Sequence, residues 1–488
     1  MRTEASHRLP ISLALALGLG LAQVVGAATF VVDSAEDSGE GSLRAAITLA
    51  NAAPGPHVIE IQVPGSAVTL SLLSPLPVIS TADLTITAAA SPGFRIDGQT
   101  FHRIFETGTG NTSLALTDLH LRRGKAARGG CVLAHASAQA SLRLERMRFE
   151  ACTAEGSSGE TVGGAVYQPQ AATLTVLDSA FTDNLAMGPS AGGGAIATEA
   201  TSVDLRGSRF ERNFALGSSG SVSAGGALAL SLPEFGLAFL QGNRFIDNSV
   251  DGVQAAIGGA IGGSCPQCVI TIEQGYFGGN NARSGGALAI LSASAVALPP
   301  ALNLENLSFE RNIASLRGGA IEVGGFSLDA RNLSLQRNRA PGGGHLAVTG
   351  SLVVDRLSGT VLAATDASAG GSTSSCDLSG ALVQGGGLLR GNLFAESASC
   401  GALAASGAQP ISSSQLGTLD TRDGLMPVLV FGPDSGVIDS LSSCPVKDAR
   451  DTERPIDGDG DGEAQCDVGA YEHPLPVAIF RNGFESTP

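Results

Sequence analysis

The chain has 488 residues, among them 66 glycines, 18 phenylalanines, three tyrosines and no tryptophan, with a formal charge of −16. Such net acidity works against nucleic acid or anionic lipid as a partner. The scarcity of Trp and Tyr argues against a long sugar groove floored by aromatic platforms.

Residues 1–27 read as a secretory leader. Arg2 and Arg8 supply the positive start, Ile11 to Val25 the apolar run, and Val25-Gly26-Ala27 the small residues a signal peptidase needs. Removing the leader takes the formal charge to −17. The run ends too soon for a membrane span, and no later run reaches about 18 apolar residues. The mature chain is therefore expected to hold no transmembrane segment, and its setting to be the outer surface of a bacterium or the medium.

Residues 28–128 read as an amino-terminal cap and first coils. Phe30-Val31-Val32 is strand-like, Ser42 is a helix N-cap, and residues 43–52 place apolar side chains at 43, 46, 47 and 50, the spacing of a short amphipathic helix. Val58 to Ile61, Leu84 to Thr87 and Leu114 to Leu116 return to strand. The open end of a solenoid exposes its bore, so a capping element is physically required there.

From 129 to 348 two marks alternate. One is a glycine pair with small apolar residues: Gly163-Gly164-Ala165-Val166, Gly193-Gly194-Ala195-Ile196, and on through Gly318-Gly319-Ala320-Ile321. The other is Phe-x-x-Asn, at Phe181, Phe210, Phe245, Phe277 and Phe309, with degenerate ends at Phe149–Cys152 and Leu335–Asn338. From Phe149 on, successive copies lie 32, 29, 35, 32 and 32 residues apart, and a fixed period of this size marks a repeat architecture. Between the marks run short alternating segments such as Leu174 to Leu177 and Val269 to Ile272. They leave no room for crossover helices, so the chain must wind. The prediction is all-β: a single-stranded, right-handed parallel β-helix with a short amino-terminal capping helix. Roughly 13–15 coils at about 4.8 Å each give a body on the order of 65 Å long. Phe is expected to stack inside the bore, Asn to sit at a left-handed turn and bond the next Asn, and the stretch between Asn and the glycine pair to form variable loops on one face.

These tetrapeptides resemble the repeats of bacterial polymorphic outer-membrane proteins. The segment Asp37 to Ile47, with Ser42-Leu43-Arg44 at its centre, is similar to the "Cys-Ser-Leu-Arg-Glu-Ala" start of secreted bacterial β-helix proteins, with Gly41 in place of the Cys and Ala45 of the Glu. Arg454-Pro455, the Asp-Gly run and Cys466-Asp467-Val468-Gly469-Ala470-Tyr471-Glu472 resemble the closing segment of "choice-of-anchor" β-helix proteins. The resemblance implies a surface-exposed, adhesin-like protein meeting an unspecified ligand, whether host protein, matrix protein or polysaccharide.

Residues 349–443 read as the last coils and an irregular stretch packed over the open end, and 444–488 as a carboxyl-terminal cap, with Ala478 to Glu485 as an export signal or a last strand. Eight cysteines in an exported chain suggest disulfides. Position pairs Cys131 with Cys152, Cys265 with Cys268, Cys376 with Cys400 and Cys444 with Cys466, although Cys265-Pro-Gln-Cys268 also spells free thiols or half a metal site. Asp457, Asp459 and Asp461 followed by Gly462 match the front of a calcium loop, with Asp467 one place short of where a bidentate carboxylate would close it. They read either as a structural Ca2+ site or as a solvated acidic turn. No catalytic residue or other cofactor is assigned. The competing class is a polysaccharide lyase or glycoside hydrolase of the pectate-lyase-like β-helix type, which needs carboxylates and an Arg converging in one groove.

Overall fold

A computed structural model describes residues 27–474, except 112, 220–221, 293–298, 391, 395–397, 404–408, 411–416, 423–424 and 433–434. Nearly all of the leader and the stretch Ala478 to Glu485 lie outside the described residues.

The first strand, Ala28–Val32, pairs in parallel with His57–Ile61, which pairs with Asp83–Thr87, which pairs with Ser113–Thr117. The rule holds along the solenoid: each of its strands finds its partner about one repeat later, in the same direction. The outcome is a parallel β-solenoid of about 11 turns with one α-helix among the described residues. Its three stacked sheets contain 21, 13 and 11 strands. The turn count falls below the 13–15 expected, and the first strand runs into the helix Leu43–Ala52 instead of a full coil.

The helix forms where the apolar spacing requires it. Leu43, Ala46, Ile47 and Ala50 are buried on the end of the bore, and Ser42 caps the helix by accepting from the Ala45 amide at 3.2 Å. Within the bore, Phe149, Phe181, Phe210, Phe245, Phe277 and Phe309 stack with centroids 4.6–5.0 Å apart and planes within 9° of parallel. All are at most 1% exposed, so each contributes about 1.5–3 kcal/mol of burial. Beside them runs an amide ladder. Asn184 Nδ2 donates to Asn213 Oδ1 at 2.9 Å, and the pattern continues through Asn248, Asn280, Asn312 and Asn338. Each Asn also donates to a Phe carbonyl of the preceding coil, as Asn248 does to Phe210 at 2.9 Å.

Two details differ from expectation. The left-handed residue is not the Asn but the one before it: Asp183, Arg212, Asp247, Arg311 and Arg337 have φ of 51–56°. The chain must reverse one residue early so that the amide points inward. Second, the stretch between Asn and the glycine pair is not loop. Leu185–Gly188 and Ser190–Gly192, with their equivalents, form the third sheet, packed through Ala154, Ala186, Ala191, Ala215, Val250, Ala256 and Ala282. Small side chains let this narrow corner close, whereas their composition alone looks loop-like. The glycine pair divides its labour. Gly193 takes φ +60°, while a Cβ on Gly194 would stand 2.2 Å from the Gly226 carbonyl oxygen of the next coil.

Candidate functional site

The carboxyl-terminal segment determines which surface of the solenoid is free. Its described residues from Thr418 on run back along the flank of the second sheet. The hairpin Thr418–Asp420 with Val428–Val430, the antiparallel pair of named strands among the described residues, packs with Met426, Ala449, Ala470 and Tyr471 against Tyr276. Val361 and Ala363 meet Leu429, Phe431, Val437, Leu441 and Val468. Polar corner residues of the coils fasten it. Gln274 Nε2 donates to the Asp448 carbonyl at 3.1 Å, Asn306 Nδ2 to Lys447 at 2.8 Å, and Asn332 Nδ2 to Gly469 at 3.0 Å. Among the described residues the strap thus occupies the flank from Ile246 and Tyr276 onward, and the coils before them carry none of these contacts.

Inside the strap the predicted metal residues separate. Asp467 is fully buried, its carboxylate accepting from the Asp439 amide at 2.9 Å and the His473 amide at 2.5 Å. Burial pushes its carboxyl up to about 6. Beside it Arg454 Nε stands 3.2 Å from Glu472 Oε2, both side chains without solvent exposure; burial, ahead of any neighbouring charge, pushes the Glu472 carboxyl up to about 7. Asp457 and Asp459 instead meet Asp439, the three offering carboxylate oxygens within 4.8 Å of one another. Asp461 stays outside this group and accepts from the Glu463 amide at 2.8 Å. The three carboxylates suit a hard cation, although they already tie the loop together: Asp439 Oδ2 accepts from the Gly458 and Asp459 amides, and Asp457 from Gly460 and Gly462. Asp439 was invisible to a loop motif because it lies 18 residues before Asp457.

The cysteines lie in four bonded pairs: Cys131 with Cys152, Cys265 with Cys268, Cys376 with Cys400 and Cys444 with Cys466, with Cα separations of 5.0–6.1 Å. None is free among the described residues. Cys152 occupies the Asn place at the head of the amide ladder, its amide donating to Asn184 Oδ1 at 3.0 Å.

On the uncovered flank the second sheet carries a different set of side chains. Two adjoining depressions of about 330 and 640 Å3 are lined by Arg95, His120, Arg146, Arg148, Arg209 and Arg212, together with Glu150, Asp118, Asp178 and Asp183. Some of these cations are committed. Arg146 grips Asp118 through two bonds of 2.7 and 2.8 Å, and Arg212 grips Asp183 at 2.8 and 3.0 Å. His120 Nε2 lies 2.9 Å from Glu150 Oε2. Burial holds the imidazole below its ordinary value, with Arg95 and Arg122 acting in the same direction against Glu150. The sequence did carry a signal for this set: Arg directly precedes Phe at Arg148, Arg209 and Arg244.

No helix among the described residues is long and apolar enough to cross a membrane. The chain matches no family model, no curated protein and no solved structure.

Proposed function

We propose that this chain is an exported, cell-surface or secreted β-helix protein that acts as an adhesive or structural scaffold. The observation that carries this reading is the long solenoid closed at its amino end and strapped along one flank, which leaves one stretch of side-chain ladder facing solvent. The paired cysteines support an oxidising compartment, and the leader-like start supports export. The tetrapeptide repeats, the Ser42-Leu43-Arg44 cap and the closing Cys466–Glu472 segment support kinship with bacterial polymorphic outer-membrane and choice-of-anchor β-helix proteins. A Ca2+ ion held by Asp439, Asp457 and Asp459 would add a structural tie within the strap.

Fractionation of cells expressing the full chain tests the reading: it predicts the processed protein at the surface or in the medium. Retention of the unprocessed chain in the cytoplasm would refute it. One observation favours a second reading. Glu150, Asp178 and Asp183 share a groove with Arg148 and Arg209, the mixture of acid and cation a polysaccharide-cleaving site requires. New reducing or unsaturated ends after incubation with acidic polysaccharide would establish that activity.

A further inference from the structure

Where the strap meets the corner between the first and second sheets, the two enclose a depression of about 480 Å3. Glu273, Glu305 and Asn306 line it from the coils, and Pro445, Val446 and Asp451 from the strap. Register sets Glu273 against Glu305 of the next coil, on strands about 4.8 Å apart. Like charges placed directly opposite each other repel. Burial pushes the Glu305 carboxyl up against the pull of Arg331, and Glu273 adds to the rise.

The two carboxylates differ in what answers them. Arg331 Nη2 stands 2.9 Å from Glu305 Oε2, whereas the Glu273 carboxylate has neither an ion pair nor a hydrogen bond among the described residues. Lys447, also in the lining, faces Asp451, its Nζ 3.6 Å from Oδ1. A second observation concerns Asn306, which is 1% exposed. Its Nδ2 donates to the Lys447 carbonyl at 2.8 Å, but its Oδ1 is buried with no donor, an unfavourable state for an acceptor. The neighbouring Gln274 is fully committed: its Oε1 accepts from Gln241 Nε2 at 2.9 Å, and its Nε2 donates to Asp448 O and Asp451 Oδ1. The depression therefore holds acceptors in excess, and the net charge of −16 draws cations toward them.

We infer that this depression receives a primary ammonium on an alkyl stem, the lysine side chain of a partner polypeptide. The ammonium donates to Glu273, Glu305 and Asn306 Oδ1, and the stem lies along Pro445 and Val446. Three N–H donors on one nitrogen suit three acceptors on separate residues, whereas a planar guanidinium fits a single carboxylate through its fork. A divalent metal ion fits worse. The described residues that gather three carboxylates within 4.8 Å are Asp439, Asp457 and Asp459, and none of them lines this depression. Val446 is 77% exposed, apolar surface that the chain carrying the lysine covers and a free amine leaves wet. This inference deepens the adhesive reading by naming the chemistry of its partner, and rests on it for the setting in which the partner is met. Binding by the purified chain does not depend on export, so the two fail separately.

The test is saturation-transfer NMR on the purified full chain with the blocked peptide acetyl-Ala-Lys-Ala-amide, its arginine, acetyl-lysine and norleucine counterparts, and cadaverine as the free amine. The expected result is binding of the lysine peptide, weaker binding of the arginine peptide and of cadaverine, and none of the acetyl-lysine or norleucine peptides. Glu273→Gln should weaken the lysine peptide several-fold, and Glu305→Gln likewise. Glu234→Gln, exposed on a loop of the first sheet, should leave it unchanged. Thermal unfolding of each variant reports whether it is folded. Glu305→Gln gives up the pair with Arg331, whereas Glu273→Gln removes no contact within the protein, so the second carries the test if the first does not fold. No binding of the lysine peptide, equal binding of the norleucine peptide, equal or tighter binding of the arginine peptide or of cadaverine, or indifference to Glu273→Gln would overturn the assignment.

Discussion

Asn248 sits in the middle of the amide ladder, and replacing it with Ala isolates what the ladder contributes. Its Oδ1 accepts from the Asn213 amide at 3.0 Å and from Asn213 Nδ2 at 2.9 Å; its Nδ2 donates to Phe210 O at 2.9 Å and Asn280 Oδ1 at 3.0 Å. Its backbone amide keeps its own bond to Asn280 Oδ1. Asn213 and Asn248 are both fully buried, so water cannot replace the lost acceptor. Ala therefore strands one backbone N–H and one side-chain N–H of Asn213, at about 1–3 kcal/mol each. The expected cost is about 2–6 kcal/mol, against less than about 1 kcal/mol for exposed Asp183→Ala. In a stack coupled mainly to nearest neighbours, a break at mid-length also separates the two halves. Urea unfolding should show a lower midpoint and a broader or split transition. A loss below about 1 kcal/mol with an unchanged, single transition would refute the ladder's role.

Three further outcomes follow from particular residues. His345 terminates the ladder: its Nδ1 accepts from Asn338 Nδ2 at 3.1 Å and its Nε2 donates to Ala363 O at 2.7 Å. Burial depresses it to about 4, so its contribution is complete above about pH 6.5 and lost as pH falls to 4, amounting to about 3 kcal/mol; His345→Gln should flatten that limb of the stability profile, and an unchanged limb would contradict the assignment. Glu472 and Asp467 act with the opposite sign, since a raised carboxyl favours the protonated fold and loses stability as pH rises from about 4 to 7. Arg454→Met leaves the Glu472 carboxylate buried without its cation and should cost about 3–5 kcal/mol, read as protease cleavage of the strap before the coils; equal resistance of both parts would count against it. Millimolar Ca2+ should raise the strap's melting temperature in the natural chain and not in Asp439→Asn, and indifference of both would show that the three carboxylates serve only as turn acceptors.

The solenoid was legible because its determinants recur once per coil: a Phe, an Asn and a glycine pair each repeat about every 30 residues, and the register follows. The helix Leu43–Ala52 was legible from its cap and apolar spacing alone. The third sheet was not, since its Ala, Gly and Ser residues lack the β-branched alternation that signals strands. Nor was the strap. Its fastening contacts join residues as far apart as Gln274 and Asp451, 177 positions along the chain, and no local pattern encodes such a meeting. The acidic loop was half legible: Asp457 and Asp459 lie together, but the partner that joins them is Asp439 and not Asp467. The basic set on the second sheet was written in plain view as Arg-Phe pairs, yet only the coil register reveals that those arginines stand in line.

Register itself is open to a direct measurement. Thr175 pairs with Asp204, and Asp204 with Phe239, in successive coils. Parallel neighbours lie about 4.8 Å apart, within the range a disulfide spans, and second neighbours about 9.6 Å apart, beyond it. Mild oxidation followed by peptide mass mapping should therefore show a bridge in the Thr175→Cys/Asp204→Cys variant and none in Thr175→Cys/Phe239→Cys. A bridge in the second variant with none in the first would show that residues one repeat apart do not stack, and the solenoid with everything placed on it would fall.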